Sequence, residues 1–140
     1  MARVFAILIA TLFLGLAAPA RMQGEDPAAG ARNVIERQLD AFAHDDAVEA
    51  YAYAAPRIKA IFPNPNLFLA MVATTYPAVY RHRSVEFGRN EQNGDSLVQE
   101  VTFIDDEGQV WTAVYSLEKQ DDGAWRISGC VIAKAAQKAL

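Results

Sequence analysis

The side chains in this sequence that could do chemistry are few and scattered. Cys130 is the one cysteine, and His44 and His82 are the only histidines. A thiol nucleophile needs a group that takes its proton, and a zinc site needs several nitrogen or sulfur ligands at short spacing. Neither pattern occurs, and Cys130, between Gly129 and Val131, reads as a small buried hydrophobe. His44-Asp45-Asp46 puts an imidazole beside two carboxylates. Adjacent residues at a helix end point in different directions, however, and Asp46 with Glu49 reads better as a capping box. His82, between Arg81 and Arg83, suggests either an anion-binding patch or the charged protection of an edge strand. Asp105-Asp106-Glu107-Gly108 and Asp121-Asp122-Gly123 lack the alternating ligand positions of a calcium loop and read as turns. No phosphate loop or serine elbow is present. The reading is of no catalytic residue, no metal and no cofactor.

Those side chains must be positioned by a short chain. Its 140 residues fit one ordinary domain. Arg3, the uncharged apolar run from Val4 to Ala17 and the small residues Ala18-Pro19-Ala20 have the build of a signal peptide cleaved after Ala20. The run is too short, against the roughly 20 apolar residues of a spanning helix, to predict a membrane anchor. The expectation is a periplasmic or secreted protein with no membrane span after cleavage. Loss of the leader leaves 12 bases against 17 acids, a formal charge of −5, which excludes the basic footprint of a nucleic-acid binder. Residues 21–30 carry turn formers and no apolar period, so a loose arm is expected before a domain spanning 31–140.

From Ala31, the apolar residues Val34, Ile35, Leu39 and Phe42 recur at helical spacing. A second helix follows the Asp46 cap with Val48, Tyr51, Ala52 and Ala55 on one side, then Pro56 ends or restarts it. Asn64-Pro65 opens a third, with Leu67, Phe68, Met71 and Val72 as its inner stripe, closed by Tyr76-Pro77. After Ala78 the period becomes two, and three turns divide the rest into strands over roughly 79–91, 96–105, 109–120 and 124–133. Glycine-ending three-residue loops set the register of an antiparallel meander. That register opposes Val101 to Ala113, Ala113 to Val131 and Glu118 to Arg126. Its core face carries Leu97, Val101, Phe103, Trp111, Ala113, Leu117, Trp125, Ile127 and Val131, and it leaves Cys130 on the other face. The fold class expected is α+β, with three N-terminal helices packed on a curved four-stranded antiparallel sheet.

The same register lines up Arg89, Gln99, Tyr115 and Gly129 across the core face. Buried polar groups need partners. Either this row meets an anionic or carbonyl-bearing ligand, with Trp111, Phe68 and Met71 as apolar wall, or Gln99 is bonded internally and Arg89 reaches the rim.

Gln38-Leu39-Asp40-Ala41-Phe42, with Asp46, Ala50 and Ala55-Pro56, resembles the opening of nuclear transport factor 2-like (SnoaL-like, cystatin-like) domains. A second set of residues resembles a bacterial family catalogued as domain of unknown function 4864. It comprises Met71-Val72, Tyr76, Val79-Tyr80, Phe87-Gly88, Gln99, Val101, Asp105, Gly108, Trp111, Tyr115-Ser116-Leu117, Gln120, Asp122-Gly123, Trp125-Arg126-Ile127 and Gly129-Cys130. The resemblance implies a cone whose sheet wraps the helices and leaves a cavity at its open end, often in a homodimer. It implies no reaction. The expected function is non-enzymatic binding of a small amphipathic ligand or a protein partner. The alternatives are a cofactor-free lyase or isomerase, with Asp46, Tyr115 or His82 as its titratable group, and a structural homodimer made through the outer sheet face.

Overall fold

The computed structural model describes residues 26–136. The expected leader, 1–20, and the arm residues 21–25 lie outside the described residues. Helix α1, Pro27–Ala43, starts within the stretch expected to be a loose arm. The reason is local: the Asp26 carboxylate accepts from the Ala28 amide at 3.1 Å, and Pro27 occupies the first helical position, where its missing N–H costs nothing. The buried face of α1 carries Ala31, Val34, Ile35, Gln38, Leu39, Ala41 and Phe42.

Asp46 caps α2, Ala47–Ala52, by accepting from the Glu49 amide at 3.0 Å. Helix α3, Pro56–Ile61, follows, and Asn64 caps α4, Pro65–Thr75, through the Leu67 amide at 3.0 Å. Pro77 then opens a fifth, four-residue helix, α5, Pro77–Tyr80. Five helices therefore replace the three expected, and the first strand starts at Ser84 rather than 79. Helices α2 and α3, of six residues each, are too short to keep a continuous apolar face inward. Val48 is accordingly exposed, and Ala50 is the residue of α2 that is buried; Leu67, read into the inner stripe of the third helix, is exposed as well. Among the described residues no helix is long and apolar enough to cross a membrane.

Strands β1 (Ser84–Asn93), β2 (Ser96–Ile104), β3 (Val110–Lys119) and β4 (Trp125–Lys134) form one antiparallel sheet in sequence order. Gly94, Gly108 and Gly123 close the hairpins at φ of 59°, 81° and 85°, the left-handed region that suits glycine. In the second hairpin β2 pairs with β3 as expected, Val101 opposite Ala113. Leu97, Val101, Phe103, Ala113, Leu117, Trp125 and Ile127 are buried against the helices, with Trp111 half-buried beside them.

Two bulges alter the outer strands. Between Phe87 and Asn90, Gly88 and Arg89 together oppose Glu100. Between Leu117↔Ile127 and Ser116↔Gly129, Ser128 is left without a partner on β3. An extra residue in a strand reverses every side chain beyond it. Ala113 therefore faces Ile132 rather than Val131, Cys130 lies opposite Tyr115 on the inner face, and Val131 is turned outward, 73% exposed. Glu118 does oppose Arg126, but its ion-pair partner is Arg57, at 3.8 Å.

Backbone hydrogen bonds join β4 to the helical layer at Ile127. The Ala55 amide donates to Ile127 O, and the Ile127 amide donates to Tyr53 O, both at 2.8 Å. Helix α4, by contrast, packs chiefly on α2 and α5.

Candidate functional site

A cavity of about 410 Å³ lies between the helical layer and the inner face of the sheet. The helical side supplies apolar groups, among them Phe42, Ile58, Phe62, Phe68, Met71 and Val72, while the sheet supplies Tyr115, Ile127, Gly129 and Cys130. Phe68 anchors the wall, its ring centroid 6.2 Å from that of Phe42, 5.8 Å from Tyr51 and 6.4 Å from Phe62. The Tyr51 hydroxyl fixes the end of α3 by donating to Phe62 O at 2.6 Å.

Most polar groups at the cavity are engaged with the protein. Gln38 Nε2 donates to Ala50 O at 3.1 Å, and the Tyr76 hydroxyl donates to Cys130 O at 3.2 Å. Tyr115 is different. It is 1% exposed, and among the described residues no group makes a well-formed hydrogen bond with its hydroxyl. The Cys130 thiol is its polar neighbour, but a thiol is a weak partner. Burial raises the Tyr115 phenol well above its ordinary value and pushes the Cys130 thiol up to about 12. Both groups are neutral near pH 7. No aspartate, glutamate, histidine, lysine or arginine is among the described residues that line the cavity.

Of the six residues assigned to a pocket from sequence, Phe68, Met71 and Tyr115 line the cavity, and Arg89, Gln99 and Trp111 do not. The turn at Gly94-Asp95 has two residues rather than three, with Asn93 opposite Ser96, so Asn90 instead of Arg89 faces Gln99, and Arg89 turns outward to Glu100 at 3.3 Å. Gln99 is buried, 2% exposed, yet its Nε2 donates to Gly88 O, Arg89 O and Glu100 O at 3.1, 3.4 and 2.8 Å. It holds the bulge together. Trp111 Nε1 donates to Asp105 Oδ2 at 2.9 Å, and Lys134 Nζ lies 5.6 Å from its ring.

The remaining candidates have structural places. Asp46 is a helix cap. His82 Nδ1 lies 3.2 Å from Val79 O with its ring 5.3 Å from that of Phe103, so it packs on the core rather than protecting an edge strand. Asp105 organises its turn by accepting from the Glu107 and Gln109 amides at 3.0 and 2.9 Å. Among the described residues no cluster of three potential metal ligands occurs. Sequence reasoning missed Gln38 and Cys130 as lining groups. Gln38 sits inside the Val34, Ile35, Leu39, Phe42 stripe, and a polar residue on an apolar stripe was a readable signal. Cys130 had none, because its direction depends on the Ser128 bulge.

A family model described as domain of unknown function (DUF4864) matches residues 25–140. The fold is similar to that of an NTF2-like protein of unknown function from Shewanella baltica OS155, with a TM-score of 0.52 at 9% identity over 79% of this chain and 94% of that one. It is also similar to an NTF-2 like protein of unknown function from Burkholderia xenovorans LB400, with a TM-score of 0.51 at 11% identity over 81% of this chain and 88% of that one. At such identities the likeness concerns the fold alone. No curated protein matches the chain.

Proposed function

The chain belongs to the family described as domain of unknown function (DUF4864), and we propose that this member is an exported, non-catalytic binder of a small, largely apolar molecule. The observation that carries the reading is the cavity of about 410 Å³ lined by aromatic and aliphatic side chains, a size inside the roughly 300–1,000 Å³ range of small-molecule pockets. Export rests on the leader-like residues 1–20. The lyase or isomerase alternative requires a group in the cavity that titrates near neutrality, and the upward shifts of Tyr115 and Cys130 weigh against these two.

The test uses N-phenyl-1-naphthylamine, a neutral fluorophore that brightens in apolar surroundings. The purified protein should bind it saturably at one site and melt at a higher temperature in its presence, since a ligand that binds only the folded state stabilises it. Met71→Trp, which pushes an indole into the cavity, should abolish the signal while leaving the protein folded. Fluorescence unchanged by Met71→Trp would rule the cavity out as the site. A molecule copurifying with the protein should be recoverable chemically intact, and its conversion would favour the lyase reading.

A homodimer through the outer sheet face is a second, compatible proposal. Val131, turned outward by the bulge, joins the exposed Val98 and the half-exposed Val110 and Val114 there.

A further inference from the structure

The polarity of the cavity narrows the class of ligand, granted the binding reading above. A charged group moved from water into an apolar enclosure is strongly penalised unless an opposite charge meets it. Arginine and lysine are missing from the described lining, so a carboxylate or phosphate would find no cation there. Arg89, the one cation that the sequence pattern aimed at a ligand, points away from the cavity. Aspartate and glutamate are missing as well, which disfavours an ammonium group in the same way.

The donors at the cavity differ in availability. Gln38 and Tyr76 already donate to Ala50 O and Cys130 O. The Tyr115 hydroxyl has no such acceptor, and a buried hydroxyl without one is costly to keep. We infer that the ligand is an uncharged, largely apolar molecule carrying one oxygen, such as that of a ketone, ester or alcohol, which accepts a hydrogen bond from the Tyr115 hydroxyl. Cys130, beside that hydroxyl, forms part of the wall against which the polar end of the ligand rests.

Three probes of equal chain length test this: decane, 2-decanone and decanoate, each titrated against bound N-phenyl-1-naphthylamine at pH 8. In the wild type, 2-decanone should displace the fluorophore, and decanoate should be at least about tenfold weaker, the factor that corresponds to 1.4 kcal/mol. Tyr115→Phe should weaken 2-decanone by about five- to tenfold and leave decane unchanged. Equal displacement by decanoate and 2-decanone, or a 2-decanone affinity that Tyr115→Phe does not alter, would overturn the inference while the binding reading stands. Failure of the fluorophore itself to bind the wild type removes both. Should Tyr115→Phe not fold, protection of Cys130 from N-ethylmaleimide decides for the wild type. 2-Decanone should slow alkylation more than decanoate does, and equal protection by the two would overturn the assignment.

Discussion

At the scale of single residues, two buried polar side chains of the inner sheet face have opposite energetic signs. Gln99 satisfies the carbonyls of Gly88, Arg89 and Glu100 at the β1 bulge. Gln99→Leu should destabilise the protein by about 1–3 kcal/mol, because it strands carbonyls that were paired. Urea unfolding measures that loss, and fluorophore binding should be unaffected. Tyr115 carries a hydroxyl with no well-formed partner. Tyr115→Phe without ligand should therefore be as stable as the wild type or more so, by up to about 1–3 kcal/mol. A stabilising substitution that weakens a ligand is the signature of a group retained for binding rather than for folding. A ligand-free Tyr115→Phe that melts several degrees lower would contradict this account.

Between elements, the turn from α1 to α2 is tied to α5 by side chains alone. Asp45, at a φ of 53°, accepts from the Tyr80 hydroxyl and, at 2.7 Å, from Arg81 Nη2, while Arg81 Nη1 reaches Phe42 O at 2.5 Å. The Tyr80 hydrogen bond, and then that of Arg81, lower the Asp45 carboxyl below its ordinary 3.8. A carboxyl depressed in the folded state contributes its stability in full above the unfolded value and loses it as pH falls through the folded one. Asp45→Asn tolerates the same backbone conformation but cannot be ionised. It should melt below the wild type at pH 7, with a gap that closes as pH drops below 3.8 and narrows with added salt. The bulge at Ser128 can be tested by deletion. Removing Ser128 should return Cys130 to the outer face, speed its alkylation and cost about 2 kcal/mol or more. These cases also explain what the sequence made legible. Asp46, Asn64 and Gly123 act through one or two neighbouring backbone groups, so their helix caps and turn could be read locally. The Ser128 bulge could not, because Ile127 spends its amide and carbonyl on Tyr53 and Ala55, more than 70 residues away in sequence. The assignment of Arg89 and Gly129 to one polar row failed at the two-residue Gly94-Asp95 turn and at the Ser128 bulge. Phe68 and Met71 survived because an ordinary helical period positions them.

For the molecule as a whole, the outer sheet face is the surface to test for self-association. A stable dimer buries about 800 Å² per partner, and sedimentation should give a dimer for the wild type. Val131→Glu should return it to a monomer with the melting temperature of the isolated subunit, because Val131 is largely exposed and contributes little to the interior. The support of α4 has a different consequence. This helix packs mainly on α2 and α5, and the hollow lined by its Phe68, Met71 and Val72 lies between it and the strands. A beam with a hollow beneath it gives more readily than one bedded on its support. Its central amides should exchange with deuterium sooner than those of α1, whose buried face includes Ile35 and Phe42. An occupant of the hollow would stiffen that beam from below. Slower exchange in α4 would then report occupancy even for a molecule that emits no light and absorbs none.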